Sequence, residues 1–111
     1  MLARFDDALN AAISEATILW SRDSGESEPE RAAQLRATHL RLSGCVEDIL
    51  RHPRVPDQGW ALRVYRALTT LRSESTGGAF DSGDRRADPE RSRRIREAGG
   101  DLRETVRQRL G

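Results

Sequence analysis

The sequence predicts an all-α fold: a small bundle of three core helices, with a C-terminal helix tethered to it by a flexible linker. Apolar residues recur at spacings of three and four along every long patterned segment, which is the period of a helix face. Proline, glycine and capping residues separate these segments. No segment alternates apolar and polar residues as a half-buried strand would. A chain of 111 residues is the size of one domain with a modest core.

The first helix is predicted over residues 2–21. Its apolar residues share one wide face. They are Leu2, Phe5, Leu9, Ala12, Ile13, Ala16, Leu19 and Trp20. Ile18 is the exception, because it falls on the polar side of the helix. Ile18 is therefore a candidate contact point.

The second helix is predicted over residues 28–52. Ser27 and Glu30 have the spacing of a capping box, in which each side chain accepts a hydrogen bond from the backbone N–H of the other residue. Pro53 disfavours helical geometry at the residue before it, so the helix should end at His52.

The third helix is predicted over residues 57–72, with Asp57 as its N-cap. Leu62 and Tyr65 fall outside its apolar stripe and are further candidate contact points. The stripe consists of Trp60, Val64, Leu68 and Leu71. The three helices together define a predicted helical core over residues 1–72.

The chain beyond this core divides into a linker and a last helical segment. Residues 73–87 combine glycine, serine and charge without a period, so we interpret them as a flexible linker. Asp88 and Pro89 then begin an arginine-rich helical segment over residues 88–110, as N-cap and first helical residue. Gly99–Gly100 interrupts its apolar stripe, which leaves open whether the segment is one helix or two short ones.

His39 occupies the apolar face of the second helix, where leucine would be expected. We interpret it as a buried polar residue that sets the register of a helix seam, within the chain or in a dimer. A pH-sensitive contact is the alternative, since burial and neighbouring charge move the pKa of histidine. Cys45 is rotated about 120° from His39 on the helix, and no carboxylate lies one turn away, so metal binding and catalysis are disfavoured.

The second helix also has a stripe made mostly of small residues, which let another backbone approach closely. The stripe consists of Ala33, Ala37, Leu40 and Gly44. Packing against a second side of the bundle is one interpretation, and a surface for self-association or for a partner is the other. A glycine inside a helix costs about 1 kcal/mol relative to alanine, which close packing at Gly44 would offset.

The sequence contains none of the motifs that carry common catalytic or cofactor chemistry. It has no phosphate-binding glycine loop, CxxC, HExxH or G-x-S-x-G. We therefore expect no enzymatic activity, no cofactor and no metal. No apolar run approaches the roughly 18 residues that span a bilayer, so we expect no membrane association. Charges within the first ten residues and a single cysteine lead us to expect a cytoplasmic protein.

We expect the chain to be a non-enzymatic helical module that binds another protein, or itself as an oligomer, as an adaptor, regulator or inhibitor. Residues 1–30 are acidic and the remainder is basic, which suits docking between the two parts. A three-helix core of this size is marginal alone, so further burial is expected. The C-terminal helix would supply it in cis, by exchange between subunits, or in a partner's groove. Its apolar stripe is Ile95, Leu102, Val106 and Leu110.

Nucleic-acid binding by the C-terminal segment is the second expectation. All 19 basic residues of the chain are arginine, whose planar fork grips phosphate. The candidate contacts are Arg91, Arg93, Arg94, Arg96, Arg103 and Arg107. Against this, Glu90 and Arg94, like Arg93 and Glu97, are spaced to pair along a helix. A third alternative is a small-molecule pocket lined by Trp20, His39, Trp60 and Tyr65.

Overall fold

A computed structural model shows four helices and confirms the predicted all-α fold. They are α1 (Leu2–Trp20), α2 (Glu28–Leu50), α3 (Gln58–Thr76) and α4 (Pro89–Leu110). The structure describes residues 2–23, 28–51, 58–77 and 85–110, and for Glu28 and Leu110 it describes the backbone alone. No strand occurs in these ranges.

Successive helices run antiparallel, as contacts at the two ends of the bundle show. The indole Nε1 of Trp20, at the end of α1, donates to the carbonyl of Ser75 near the end of α3, at 2.8 Å. The N–H of Asp88, just before α4, donates to the carbonyl of Trp20 at 2.7 Å. At the opposite end, Nε1 of Trp60 donates to the carbonyl of Thr105 at 2.6 Å.

α2 is antiparallel to α1, since Thr38 bonds Glu15 while Cys45, further along α2, bonds Arg4 near the start of α1. The bundle therefore runs up, down, up and down.

The C-terminal helix packs in cis against the other helices of the bundle, which is one of the alternatives that the sequence left open. α4 packs along both α1 and α3, whereas α2 packs along α1 and approaches α3 over a shorter stretch. Ile95, Leu102 and Val106 of α4 are fully buried. Its apolar stripe is narrow but unbroken, and a narrow stripe is sufficient for a helix lying in the groove between two others.

Large apolar side chains fill the core along the inward-facing sides of the helices. Full burial of such a side chain contributes about 1.5–3 kcal/mol, so no single contact dominates the stability of the bundle. The largest fully buried side chains are Trp60, Phe5, Leu9, Leu19, Leu35, Leu42, Ile49, Leu71, Ile95, Leu102, Val46 and Val64.

The helix boundaries differ from the prediction most at the end of α3. This helix continues to Thr76, four residues into the predicted linker, because Ser75 is buried and its carbonyl accepts the indole bond of Trp20. Arg85 is also buried, so the end of the predicted linker packs against the bundle. Residues 78–84, like the predicted caps Ser27 and Asp57 and the predicted helix end His52, lie outside the described residues.

α4 is one continuous helix through Gly99–Gly100, so the alternative of two short helices is wrong. Gly99 is buried against α1, and its lack of a side chain permits that approach. The predicted N-cap is confirmed, because the carboxylate of Asp88 accepts from the N–H of Arg91 at 3.0 Å.

Candidate interaction surface

The small-residue stripe of α2 faces outward. Ala33, Ala37, Leu40 and Gly44 are all exposed, and Leu40 has 74% of its surface accessible. A Cβ added to Gly44 would meet nothing within 4 Å. Packing against a second side of the bundle is therefore not the role of these residues within the described chain. The reason is geometric, since the stripe lies on the side of α2 opposite the faces that meet α1 and α3.

A second exposed stripe follows α3 along its border with α2. Leu62, Tyr65, Thr69 and Arg72 recur at helical spacing, and Leu62 and Tyr65 are 51% and 46% exposed. Arg72 donates to the hydroxyl of Ser43, which connects this border of α3 to α2.

His39 lies beneath this border, with only 3% of its surface exposed. Neither ring nitrogen has a hydrogen-bond partner within the described part of the chain. Burial, together with the nearby positive charge of Arg72, lowers the pKa of His39 from 6.5 to about 4. The side chain is therefore a neutral imidazole in a seam inside one chain, rather than at an exposed dimer seam.

The predicted C-terminal contact stripe is not available to a partner. Ile95, Leu102 and Val106 are fully buried against the other helices of the same chain. The side chain of Leu110 lies outside the described residues. The same periodic stripe can pack in cis or in trans, and in this structure it packs in cis.

Arg91 caps the end of α3 and does not face solvent as a phosphate contact would. Its guanidinium donates to the carbonyls of Glu74, Ser73 and Gly77 at 2.6, 3.2 and 2.8 Å. It also stacks on the ring of Trp20, 3.8 Å from the centroid. Burial lowers the pKa of Arg91, although nearby carboxylates oppose the effect.

Arg85 has the same role at the end of α1, where it donates to the carbonyl of Leu19 at 3.0 Å. Its guanidinium lies 5.6 Å from the ring centroid of Trp20. Burial lowers the pKa of Arg85 as well. Arg85 of the predicted linker and Arg91 of the predicted arginine-rich segment thus complete the open ends of two helices.

Most other arginines of α4 are paired within the chain. Arg93 bonds both Glu90 and Glu97, so its predicted pairing with Glu97 is confirmed. Arg94 instead meets Glu74 of α3 at 3.1 Å, so the expected pair with Glu90 does not form.

Two further arginines of α4 meet α1. Arg107 pairs with Asp6 at 2.8 Å, and Arg103 bonds Asn10 and lies 3.7 Å from Asp6. Of the six predicted polyanion contacts, Arg96 is exposed without a described partner.

Two further arginines without such partners lie on α3. From Gln58 to Ser73 the chain has three arginines and no carboxylate. Arg63 and Arg66 are exposed and form no ion pair with the described residues.

Other candidate sites are disfavoured by the geometry. Trp20 and Trp60 are buried at opposite ends of the bundle, so the predicted small-molecule pocket with His39 and Tyr65 does not form. Ile18 is exposed, but with Glu15, Arg22 and Arg31 it lines a separate hollow between α1 and α2.

The described ranges contain no group of His, Cys, Asp and Glu side chains that would hold a metal ion. None of the helices there combines the length and apolar character needed to cross a bilayer.

Comparison with known proteins adds no functional assignment. The chain matches no family model, no curated protein and no solved structure.

Proposed function

We propose that this protein is a non-enzymatic helical interaction module, acting as an adaptor, regulator or inhibitor through the exposed face of α2. The observation that carries the proposal is the position of Leu40, which has 74% of its surface in solvent. Around it the stripe is made of small side chains, so an approaching helix would meet little obstruction. Burying one leucine contributes about 1.5–3 kcal/mol to an association.

Gly44 supports the same proposal. It is exposed inside a helix, where glycine costs about 1 kcal/mol relative to alanine. Nothing in the described chain occupies the space where its Cβ would be. A contact with another backbone would account for glycine at this position.

Nucleic-acid binding by α4 is the weaker candidate. Arg91, Arg93, Arg94, Arg103 and Arg107 already bond carbonyls, an amide or carboxylates of the same chain. A phosphate would have to displace those partners, which reduces the net gain from each contact.

The test is the molar mass of the purified chain by light scattering on a sizing column, with absorbance at both protein and nucleic-acid wavelengths. A discrete dimer or larger species free of nucleic acid is expected if the α2 face mediates self-association. Gly44→Leu should shift this species toward monomer, because the side chain blocks close approach. Gly100→Leu is the matched control, since Gly100 is also an exposed helical glycine with open space around it.

Two results would contradict the proposal as stated. A species that persists unchanged in Gly44→Leu and Leu40→Glu would remove the α2 face from self-association. A nucleic-acid absorbance that accompanies the protein and disappears at high salt would favour polyanion binding instead.

A further inference from the structure

The border between α1 and α2 contains a hollow of about 220 Å³, which we call the α1–α2 hollow. It is lined by Glu15, Ile18, Leu19, Arg22, Arg31 and Gln34. We propose that this hollow binds a small monocarboxylate with a short apolar tail, such as a short-chain fatty acid. This ligand-binding function goes beyond the proposed role as an interaction module. It follows from the pair of arginines in the hollow, from its apolar wall and from its size.

The register of the two helices places the two arginines of the hollow opposite each other. Thr38 of α2 meets Glu15 of α1, and the helices are antiparallel. Seven residues earlier on α2 and seven residues later in the chain from Glu15, Arg31 therefore lies opposite Arg22. Both arginines line the hollow, at the end of the bundle where α1 ends and α2 begins.

These two guanidinium groups have no anionic partner in the described part of the chain. Arg22 and Arg31 are both exposed, and neither side chain forms an ion pair with a described residue. The carboxylate of Asp23, next to Arg22, instead accepts from the N–H of Ala87 at 2.8 Å. A planar guanidinium binds a carboxylate through two parallel hydrogen bonds. The arginine pair therefore favours a ligand with a carboxylate group.

The apolar wall of the hollow is short. Ile18 is 46% exposed and lines the hollow, whereas Leu19 is 2% exposed and lines it from the core side. Covering Ile18 with hydrocarbon removes apolar surface from water, which favours a ligand with an apolar tail. Ile18 lies between Arg22 and Glu15, one helical turn from the latter, and a turn rises about 5.4 Å. A tail of a few carbon atoms therefore covers this wall.

Glu15 and the volume of the hollow limit the ligand further. Both carboxylate oxygens of Glu15 accept from the hydroxyl of Thr38, at 2.9 and 2.8 Å. A longer tail would reach this charged group and remove it from water at a cost. The volume of about 220 Å³ is also below the range of roughly 300–1,000 Å³ that is usual for drug-sized ligands. Both limits favour a small ligand.

The test titrates isotope-labelled protein with hexanoate at low ionic strength and follows the amide chemical shifts. Hexanol has the tail without the charge, acetate has the charge without the tail, and hexylammonium has the opposite charge. We expect hexanoate to bind about tenfold more tightly than each of these probes, because only hexanoate satisfies both the arginine pair and the apolar wall. The shifts should concentrate in residues 15–22 and 31–34. Added salt should weaken hexanoate binding, since exposed charges are screened.

Charge variants of the protein locate the carboxylate. Arg22→Gln combined with Arg31→Gln should weaken hexanoate binding about tenfold and leave the binding of hexanol unchanged. Arg63→Gln combined with Arg66→Gln is the matched control, because it removes two exposed arginines of α3 that also lack ion pairs with the described residues. The control should bind hexanoate as the unaltered protein does.

An apolar pair of variants locates the tail. Ile18→Ser should weaken hexanoate binding to the level of acetate, because it removes the exposed part of the wall. Leu62→Ser is the matched control, since Leu62 is similarly exposed, at 51%, and lies on α3. It should leave hexanoate binding unchanged. Circular dichroism of every variant checks that the bundle is intact.

Four outcomes would overturn the inference. They are the absence of hexanoate binding at low ionic strength, equal binding of hexanol and hexanoate, tighter binding of hexylammonium, and equal weakening by the hollow variants and their controls. None of them affects the proposed function, which is tested separately by the molar mass of the chain and its dependence on Leu40 and Gly44.

Discussion

Ile13 of α1 occupies the space into which a side chain on Gly99 of α4 would extend. A Cβ added to Gly99 would overlap both Cδ1 and Cγ1 of Ile13. At the next position, Gly100, a Cβ would meet nothing within 4 Å. A side chain on Gly99 would therefore have to displace the half-buried side chain of Ile13, whereas one on Gly100 would displace nothing.

Gly99→Ala should destabilise the bundle although alanine is the better helix former. Overpacking costs about 1–3 kcal/mol, and improved helix propensity recovers about 1 kcal/mol of it. Gly100→Ala should instead stabilise by about 0.5–1 kcal/mol, because it changes propensity alone. Chemical denaturation of both variants measures the difference. Equal effects of the two substitutions would show that α4 does not approach α1 as closely as described. Adding Ile13→Ala to Gly99→Ala should restore part of the stability that Gly99→Ala loses.

His39 should make the stability of the protein depend on pH. Its pKa of about 4 in the folded chain lies below its ordinary value of 6.5, so the unfolded chain binds the proton more tightly. Stability is therefore complete above pH 6.5 and falls as the pH is lowered toward 4, by up to roughly 3 kcal/mol from this group.

Two substitutions separate the titration of His39 from its cost as an unbonded polar group. His39→Leu should remove this pH dependence and also raise stability at neutral pH by about 1–3 kcal/mol, because two buried nitrogens lack partners. His39→Gln should remove the pH dependence without that gain. Thermal melts of all three proteins across this pH range measure both effects. A pH dependence that survives in His39→Leu would mean that other groups cause it.

Arg91 should contribute more to stability than its position in an arginine-rich segment indicates. Arg91→Ala removes the bonds to three carbonyls at the end of α3 and the contact with Trp20, at an expected cost of about 2–3 kcal/mol. Arg91→Lys should recover little, because an ammonium cannot reproduce the planar fork. Arg96→Ala, a change on the solvent side of the same helix, should alter stability by less than about 0.5 kcal/mol. Denaturant unfolding ranks the three, and equal effects of the two alanine variants would argue against the cap.

Two leucines distinguish the core from the proposed interaction surface. Leu102→Ala should destabilise by about 2–5 kcal/mol, because Leu102 is fully buried. Leu40→Ala should change the stability of the monomer by less than about 0.5 kcal/mol, since Leu40 is exposed. Unfolding must be followed at several protein concentrations, because self-association through Leu40 would make its effect concentration-dependent. If Leu102→Ala is as mild as Leu40→Ala, α4 does not complete the core.

The sequence by itself determined the elements and many of their inner faces. Periodicity identified four helical segments, and the stripe of Trp60, Val64, Leu68 and Leu71 is the buried face of α3. It also identified Leu62 and Tyr65 as outward-facing, because a helix has a fixed angular step per residue. Asp88 was recognisable as an N-cap from the proline that follows it.

Only the tertiary structure decided which helices meet. An apolar stripe states that a helix must bury one side, but not against what, so Ile95, Leu102 and Val106 were equally compatible with docking in cis or in trans. The same applies to charge. From the sequence Arg91 and Arg94 are candidate phosphate contacts, whereas in the fold they bond Ser73 and Glu74 of α3. Local patterns specify a helix through contacts near in sequence, whereas interfaces depend on contacts distant in sequence, and those exist only once the chain has folded.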